Sequence, residues 1–265
     1  MQEHALIEKD LSLYYNVYGE GEPVVLIHGF GEDSAIWSGM IAALQENYKL
    51  IVPDLRGSGR STGNMLDTSM DSLADDISKI LDKENITDCV MIGHSMGGYI
   101  TLAFAETYGH RLKGVGLFHS TAFADSDEKK QTRKKNAEFI KKYGSAKFIE
   151  QSIPNLFAEQ SKEKHKDLIK GLIERYSAFS PISLVAYTEA MMNRPDRTET
   201  LRMFQHPVLL ILGEYDTAIP IDQSMKLCQI ADFAYIYLAT ESGHMGMLEE
   251  PEFCLKAILD FLSGR

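Results

Sequence analysis

Cysteine is scarce in this chain: Cys89, Cys228 and Cys254 are its only three thiols in 265 residues. An odd number at wide spacing makes no disulfide framework, and two of them sit inside apolar patterns where a free thiol behaves as a small hydrophobe. Positive charge is also short, with 27 Lys and Arg against 38 Asp and Glu, a formal net charge of -11. That balance sets the average field against a phosphate backbone or an anionic membrane surface, so neither nucleic acid nor membrane is expected as a partner. Long hydrophobic runs are missing too. Val24 to Ile27 and Val208 to Leu212 fall far short of the roughly 20 residues that a spanning helix needs. The opening Met1 to Leu6 has neither the basic cluster nor the apolar stretch of a secretory signal, which favours a cytoplasmic location with reduced thiols. No Gly-x-Gly-x-x-Gly follows a strand pattern, and there is no Gly-x-x-x-x-Gly-Lys-Ser/Thr, His-Glu-x-x-His or paired Cys-x-x-Cys. Nucleotide and metal chemistry therefore lack a handle, and no cofactor or metal is expected.

What is present is an alternation of strand and helix patterns. Leu11, Leu13, Tyr15 and Val17 alternate as in a strand with one buried face, whereas Val24 to Ile27, Leu50 to Val52, Cys89 to Ile92, Val115 to Phe118, Val208 to Leu212 and Ala234 to Leu238 are continuously apolar, as in parallel strands covered on both sides. Helical spacing separates them at Leu73, Ile77, Ile80 and Leu81, at Ile100, Ala103, Phe104 and Tyr108, and at Leu255, Ile258, Leu259 and Leu262. The pattern predicts an α/β fold with a mostly parallel central sheet of about eight strands, antiparallel at its N-terminal part and flanked by helices. From about Ser120 to Phe204 no strand pattern occurs, and charge is dense in "DSDEKKQTRKK" and "SKEKHKD". This reads as inserted helices with solvated faces. The expected organisation is a core of residues 1–120 and 205–265 with a helical cap at 121–204.

The segment Val90 to Tyr99, "VMIGHSMGGY", carries Gly93-x-Ser95-x-Gly97. Glycines at that spacing allow a sharp strand-to-helix turn that lifts a serine oxygen above the sheet edge. Gly59-Arg60-Ser61-Thr62-Gly63 matches the same spelling, but it follows a polar loop and leads into no helix pattern. A serine hydroxyl needs a base, an orienting acid and donors for a developing oxyanion. His244 lies in "ESGHMG", between the last strand pattern and the C-terminal helix, and Asp216 in "GEYDTAIP" follows the strand pattern Val208 to Leu212. Glu214, Asp125 and Asp127 stand as other candidates for the acid. His28-Gly29-Phe30-Gly31 follows Val24 to Ile27 and brings backbone N–H groups to the same rim. His28 and His94 flank the site as braces for the turns, and Asp54 and Arg56 read as loop-fixing residues.

Taken together, "LIHGFG", "VPDLRGSGRS", "IGHSMGG", "LILGEYDTAIP" and "SGHMGMLEEP", in that order, resemble the α/β-hydrolase fold superfamily, the single-domain serine hydrolase type with a helical cap. The resemblance covers nearly the whole chain apart from the cap. It implies Ser95 as nucleophile, His244 as base, Asp216 as acid, and the backbone amides of Phe30 and Met96 as the oxyanion hole. It implies a carboxylesterase-like activity on small to medium acyl groups, consistent with the bulk of Phe30 at the oxyanion turn. Serine relatives that open enol-lactones or cleave carbon–carbon bonds in diketones share the same first steps, and some relatives act as small-molecule receptors with little turnover. The partner expected is a small-molecule substrate, and the chain is compatible with a monomer or a homodimer. Substrate choice would lie in the cap, where Phe123, Phe179, Tyr187, Met191 and Met192 are candidates for an apolar pocket, as are Phe139, Phe148 and Phe157.

Overall fold

Alternate residues of each central strand point to opposite faces of a sheet, and here each face meets its own apolar layer. Val25 and Ile27 join one core cluster while Val24 and Leu26 join the other. Leu210 and Leu212 divide from Leu209 and Ile211 in the same way. The computed structural model describes residues 1–265. Its strands are β1 (Gln2–Glu8), β2 (Leu11–Tyr18), β3 (Glu22–Ile27), β4 (Tyr48–Pro53), β5 (Thr62–Gly63), β6 (Cys89–His94), β7 (Leu112–Phe118), β8 (Val208–Gly213) and β9 (Ala234–Ala239). They form one nine-stranded sheet in the order β1-β2-β4-β3-β6-β7-β8-β9, with β5 paired to β2. β1, β2 and β4 pair antiparallel, and β4, β3, β6, β7, β8 and β9 are successively parallel. The seven strand patterns read from the sequence omit β1 and the two-residue β5. β1 is an edge strand whose Ile7 is exposed, so its apolar residues show no one-sided pattern.

Helices α1 (Ser38–Leu44), α2 (Met70–Lys83) and α3 (Met96–Tyr108) precede β7. Then α4 (Asp127–Tyr143), α5 (Ser145–Ser152), α6 (Lys166–Tyr176), α7 (Pro181–Asn193) and α8 (Thr198–Met203) run between β7 and β8 with no strand among them. The chain closes with α9 (Ile221–Leu227), α10 (Gly246–Glu249) and α11 (Pro251–Gly264). α2 and α3 cover one sheet face, and α1 and α11 cover the other. α3 is buried from Met96 through Ala105, as expected of a helix apolar on all sides and sandwiched in a core. By contrast α4 buries only Ala137 and Ile140, so its charged residues lie on a solvated face or turn toward the interior of the inserted segment. No helix is long and apolar enough to cross a membrane.

Candidate active site

Ser95 sits between β6 and α3 with φ 51° and ψ -115°, a left-handed conformation that costs a non-glycine residue on the order of 1–3 kcal/mol. The glycines around it are forced by contact. A Cβ on Gly93 would lie 2.2 Å from the carbonyl carbon of Gly97, and a Cβ on Gly97 would lie 2.4 Å from the Ile27 oxygen. Only bare backbone lets α3 start this close to β3 and β6. The Ser95 N–H donates to Phe118 O at 2.9 Å and Ser120 Oγ donates to Ser95 O at 2.7 Å, so the turn is fastened on both sides.

The loops after β8 and β9 bring the other two groups to the same strand ends. His244 Nε2 lies 2.7 Å from Ser95 Oγ, and His244 Nδ1 lies 2.7 Å from Asp216 Oδ2. The other Asp216 oxygen accepts the N–H groups of Ala218 and Ile219 at 2.8 Å each. Burial alone would push the Asp216 carboxyl up, but the charge and hydrogen bond of His244 outweigh it and hold the group well below the usual carboxylate range. Of the alternative acids, Glu214 is exposed, Asp125 is paired with Arg133 and Arg194, and Asp127 is exposed in the first turn of α4. None is placed against His244.

Two further histidines surround this chain of contacts in opposite states. His94 Nδ1 lies 3.0 Å from Glu32 Oε2 and its Nε2 lies 3.0 Å from the His244 carbonyl. Both ring nitrogens face acceptors, so the ring is an imidazolium; burial opposes that charge, but Glu32 raises the His94 pKa, and Glu32 is itself lowered by His94. Glu32 also accepts the Gly29 N–H at 2.7 Å. The buried ion pair therefore ties the Phe30 turn to the His244 loop. His119 is the opposite case: it is fully enclosed, its Nδ1 lies 3.5 Å from Asp216 Oδ2, and burial pushes its pKa down to about 4. It is neutral beside an anionic Asp216. Sequence reasoning missed Glu32, although the acid two residues after Phe30 is visible there.

Met96 opens α3, where an N–H has no acceptor within the helix, and Phe30 lies on the loop after β3. Phe30 lines the cavity over Ser95, and Met96 follows Ser95 directly in the chain. His28 braces the neighbouring loop by accepting the Leu55 N–H at 3.0 Å. Asp54 accepts the N–H groups of Ser34 and Arg60, and Arg56 pairs with Asp76.

A cavity of about 220 Å³ opens over Ser95 and His244, walled by Phe30, Phe148, Tyr176 and Met191 and by Lys129 and Arg133 of α4. Of the eight pocket candidates, Met191 and Phe148 line it. Phe123 borders an adjoining cavity instead. Tyr187 is buried with its hydroxyl on Arg56 O and Ser58 Oγ, and Phe179 packs 6.4 Å from it, ring to ring. Met192 turns away from the cavity that its neighbour Met191 reaches. Aromatic and methionine content thus marked the cap core as readily as the pocket. Tyr99 and Tyr176, which were not among the candidates, take other lining places. The cap is fastened to the His244 loop by Glu249, a buried carboxylate that accepts N–H groups from Ala158 and Gly243 at 2.8 Å each. No group of three or more His, Cys, Asp or Glu side chains is disposed to hold a metal ion.

The sequence profile of the alpha/beta hydrolase fold matches residues 22–251. The chain belongs to that family, and in class it is a hydrolase. It is 27% identical to the dihydrolipoyllysine-residue acetyltransferase component of an acetoin cleaving system from Pseudomonas putida over 94% of this chain, and spans 66% of that protein's length. It is 26% identical to Lipase 1 of Psychrobacter immobilis, over 86% of this chain and 73% of the lipase. Among solved structures, a thermophilic esterase from Thermogutta terrifontis, with malate bound, superposes with a TM-score of 0.93 at 29% identity, covering 100% of this chain and 99% of that one.

Proposed function

We propose that the protein is a serine hydrolase that cleaves carboxylic esters of small to medium acyl groups. The observation that carries this reading is the unbroken contact from Asp216 through His244 to Ser95, 2.7 Å at each step, beneath a largely apolar cavity. In the mechanism, His244 Nε2 takes the Ser95 proton as Oγ attacks the ester carbonyl carbon. The N–H groups of Phe30 and Met96 receive the negative oxygen, each such donor being worth about 3 kcal/mol. The carbonyl re-forms as the alcohol leaves with the proton from His244, and water repeats the sequence on the acyl-enzyme. Asp216, anionic and fixed by two amides, holds the His244 tautomer that leaves Nε2 free to accept. The Glu32–His94 pair fixes the oxyanion turn relative to the base. A lipase and an esterase among the similar proteins support ester chemistry. The test needs no guess at the substrate: a fluorophosphonate probe is expected to label Ser95, located by mass spectrometry, and labelling is expected to vanish in Ser95→Ala and fall steeply in His244→Ala. An ester panel that includes an enol-lactone and a diketone then fixes the bond cleaved. Folded protein that takes no label and turns over none of the panel would refute this reading and favour a small-molecule receptor.

A further inference from the structure

The wall of the cavity facing Ser95 is mostly apolar, and apart from His244 its basic side chains lie on one helix. Lys129 and Arg133, one turn apart on α4, both line it. Two cations at that spacing repel, and Lys129 sits in the first turn of its helix, the end where the backbone dipole also disfavours a positive charge. Local helix physics argues against both placements. The compensating carboxylates are also too few. Asp125 is shared between Arg133 and Arg194, whose Nη1 lies 2.8 Å from it. Lys129 has no carboxylate within ion-pair distance; its Nζ donates to Ala218 O at 2.8 Å, which leaves two of its three N–H bonds without a protein acceptor. Arg133 directs Nη1 at the Met191 sulfur, 3.3 Å away, and a thioether is a weak acceptor. Lys129, Arg133 and Arg194 against Asp125 and the anionic Asp216 leave a surplus of one positive charge beside the reaction site, in a chain whose net charge is -11.

Lys129 also stands between two spaces. It borders the cavity over Ser95 and an adjoining cavity of about 490 Å³ that Arg194, Asp125, Asp222 and Lys226 line. In that second space Asp222 and Lys226 offset one another in charge, and Arg194 is held by Asp125, by the Met191 and Phe123 carbonyls, and by the Tyr99 ring 3.9 Å below its guanidinium. Lys129 is the cation with donors to spare. Burial already lowers its pKa, with Arg133 adding to that and Asp125 and Asp216 opposing it, so an anion brought to it would restore a stabilising partner.

We infer that the preferred substrates are esters bearing a second, free carboxylate, and that Lys129 Nζ and Arg133 Nη1 clamp that carboxylate while the ester carbonyl lies against Ser95. This rests on the serine hydrolase reading above and narrows its substrate class to half-acid esters. The same contact has a structural alternative: Lys129 would merely strap α4 to the Ala218 carbonyl near Asp216. The two differ in what they do to selectivity, since a strap supports neutral and charged esters alike.

The experiment compares kcat/KM for two matched pairs on the full chain: monomethyl glutarate against methyl pentanoate, with the charge on the acyl side, and 4-acetoxybutanoate against butyl acetate, with the charge on the alcohol side. One half-acid is expected to exceed its neutral twin by about tenfold or more, the worth of a single hydrogen bond to a charged group. Lys129→Met, which keeps the length of the stem, is expected to collapse that ratio toward one, and Arg133→Gln to reduce it. Wild-type protein that labels at Ser95 with fluorophosphonate yet favours both neutral esters overturns this inference and leaves the hydrolase reading standing. A kcat/KM that Lys129→Met lowers equally for both members of a pair, with the ratio intact, assigns Lys129 to the strap and also overturns it. If wild-type protein takes no label and none of the four esters turns over, the hydrolase reading falls and this inference with it.

Discussion

Two loops of this chain share the spelling Gly-x-Ser-x-Gly, and they use it for opposite purposes. At Gly93 to Gly97 the glycines make room for backbone: the missing Cβ atoms would strike main-chain atoms of Gly97 and Ile27. At Gly59 to Gly63 the tightest contact of Gly59 is with the Asp54 carboxylate, 2.4 Å from where a Cβ would be, and the glycine leaves room for the carboxylate that accepts the Arg60 N–H. The serines differ accordingly. Ser61 Oγ donates to Asp54 O at 2.7 Å and accepts from Tyr14 N at 2.8 Å, so its hydroxyl is consumed in joining the loop to β2. Ser95 Oγ has a single side-chain partner, the imidazole of His244. A serine is available for chemistry where the backbone makes no use of it, and the strand before and helix after Ser95 create that condition.

The sharpest way to break this contrast is at Asp216, because the Ser61 loop has nothing equivalent behind it. Asp216→Asn keeps the shape and the two amide contacts but no longer holds His244 with Nε2 free to accept; the loss expected in kcat/KM is about 10⁴-fold, the size seen when the acid of a Ser-His-Asp site becomes an amide. Circular dichroism should show an unchanged fold. A loss within about tenfold would mean that His244 is oriented by another group, and His119, 3.5 Å from Asp216, would be the first to examine.

A smaller effect separates the loops by pH. Folded His119 stays neutral down to about 4, whereas in the unfolded chain a histidine takes its proton near 6.5. The unfolded state therefore binds more protons between those values, and stability falls as pH falls through them, by on the order of 3 kcal/mol in all. Asp216, held low, adds a loss only below the ordinary carboxylate range. His94 works the other way: its raised pKa gives stability that is complete below about pH 6.5 and disappears as pH rises through the folded value. Urea unfolding at pH 7.5 and pH 5 should show less of a fall in His119→Gln than in the parent chain. Equal falls would remove His119 from the account. The Ser61 contacts, both to main-chain atoms, carry no such dependence.

The same difference explains how much of the molecule could be read in advance. The continuous apolar runs flanked by polar loops marked β3, β4, β6, β7 and β8, because both faces of those strands are covered; the same kind of run marked β9, although it is an edge strand whose Ile236 and Leu238 are exposed. The residues at Ser95, Asp216 and His244 were legible because each follows such a run, and the strand ends converge on one rim. The segment between β7 and β8 was legible only as helices. Its aromatic residues split between cavity and core according to tertiary contacts, as Tyr187 shows by giving its hydroxyl to Arg56 O and Ser58. Glu32 and Lys129 escaped notice because a lone charge in a loop or a charge-rich helix has the same local signature buried as exposed. Only the partner across the fold distinguishes them.

The smallest expected effect tests the silent loop itself. Ser61→Ala removes a hydroxyl that satisfies two buried main-chain groups, the Tyr14 N–H and the Asp54 carbonyl, and leaving such groups unpaired costs about 1–3 kcal/mol. In a chain of this length each kcal/mol lowers Tm by about 2–4 °C, so a modest fall in melting temperature is expected. The rate of fluorophosphonate labelling at Ser95 should be the same within about twofold, because the Asp54 loop reaches the site only through the His28 and Ser34 contacts and those do not involve the lost oxygen. A labelling rate that drops tenfold in folded Ser61→Ala protein would show that the second Gly-x-Ser-x-Gly loop supports the chemistry through β2 and the Asp54 turn, and the distinction drawn between the two serines would then be one of distance along a shared network instead of one of role.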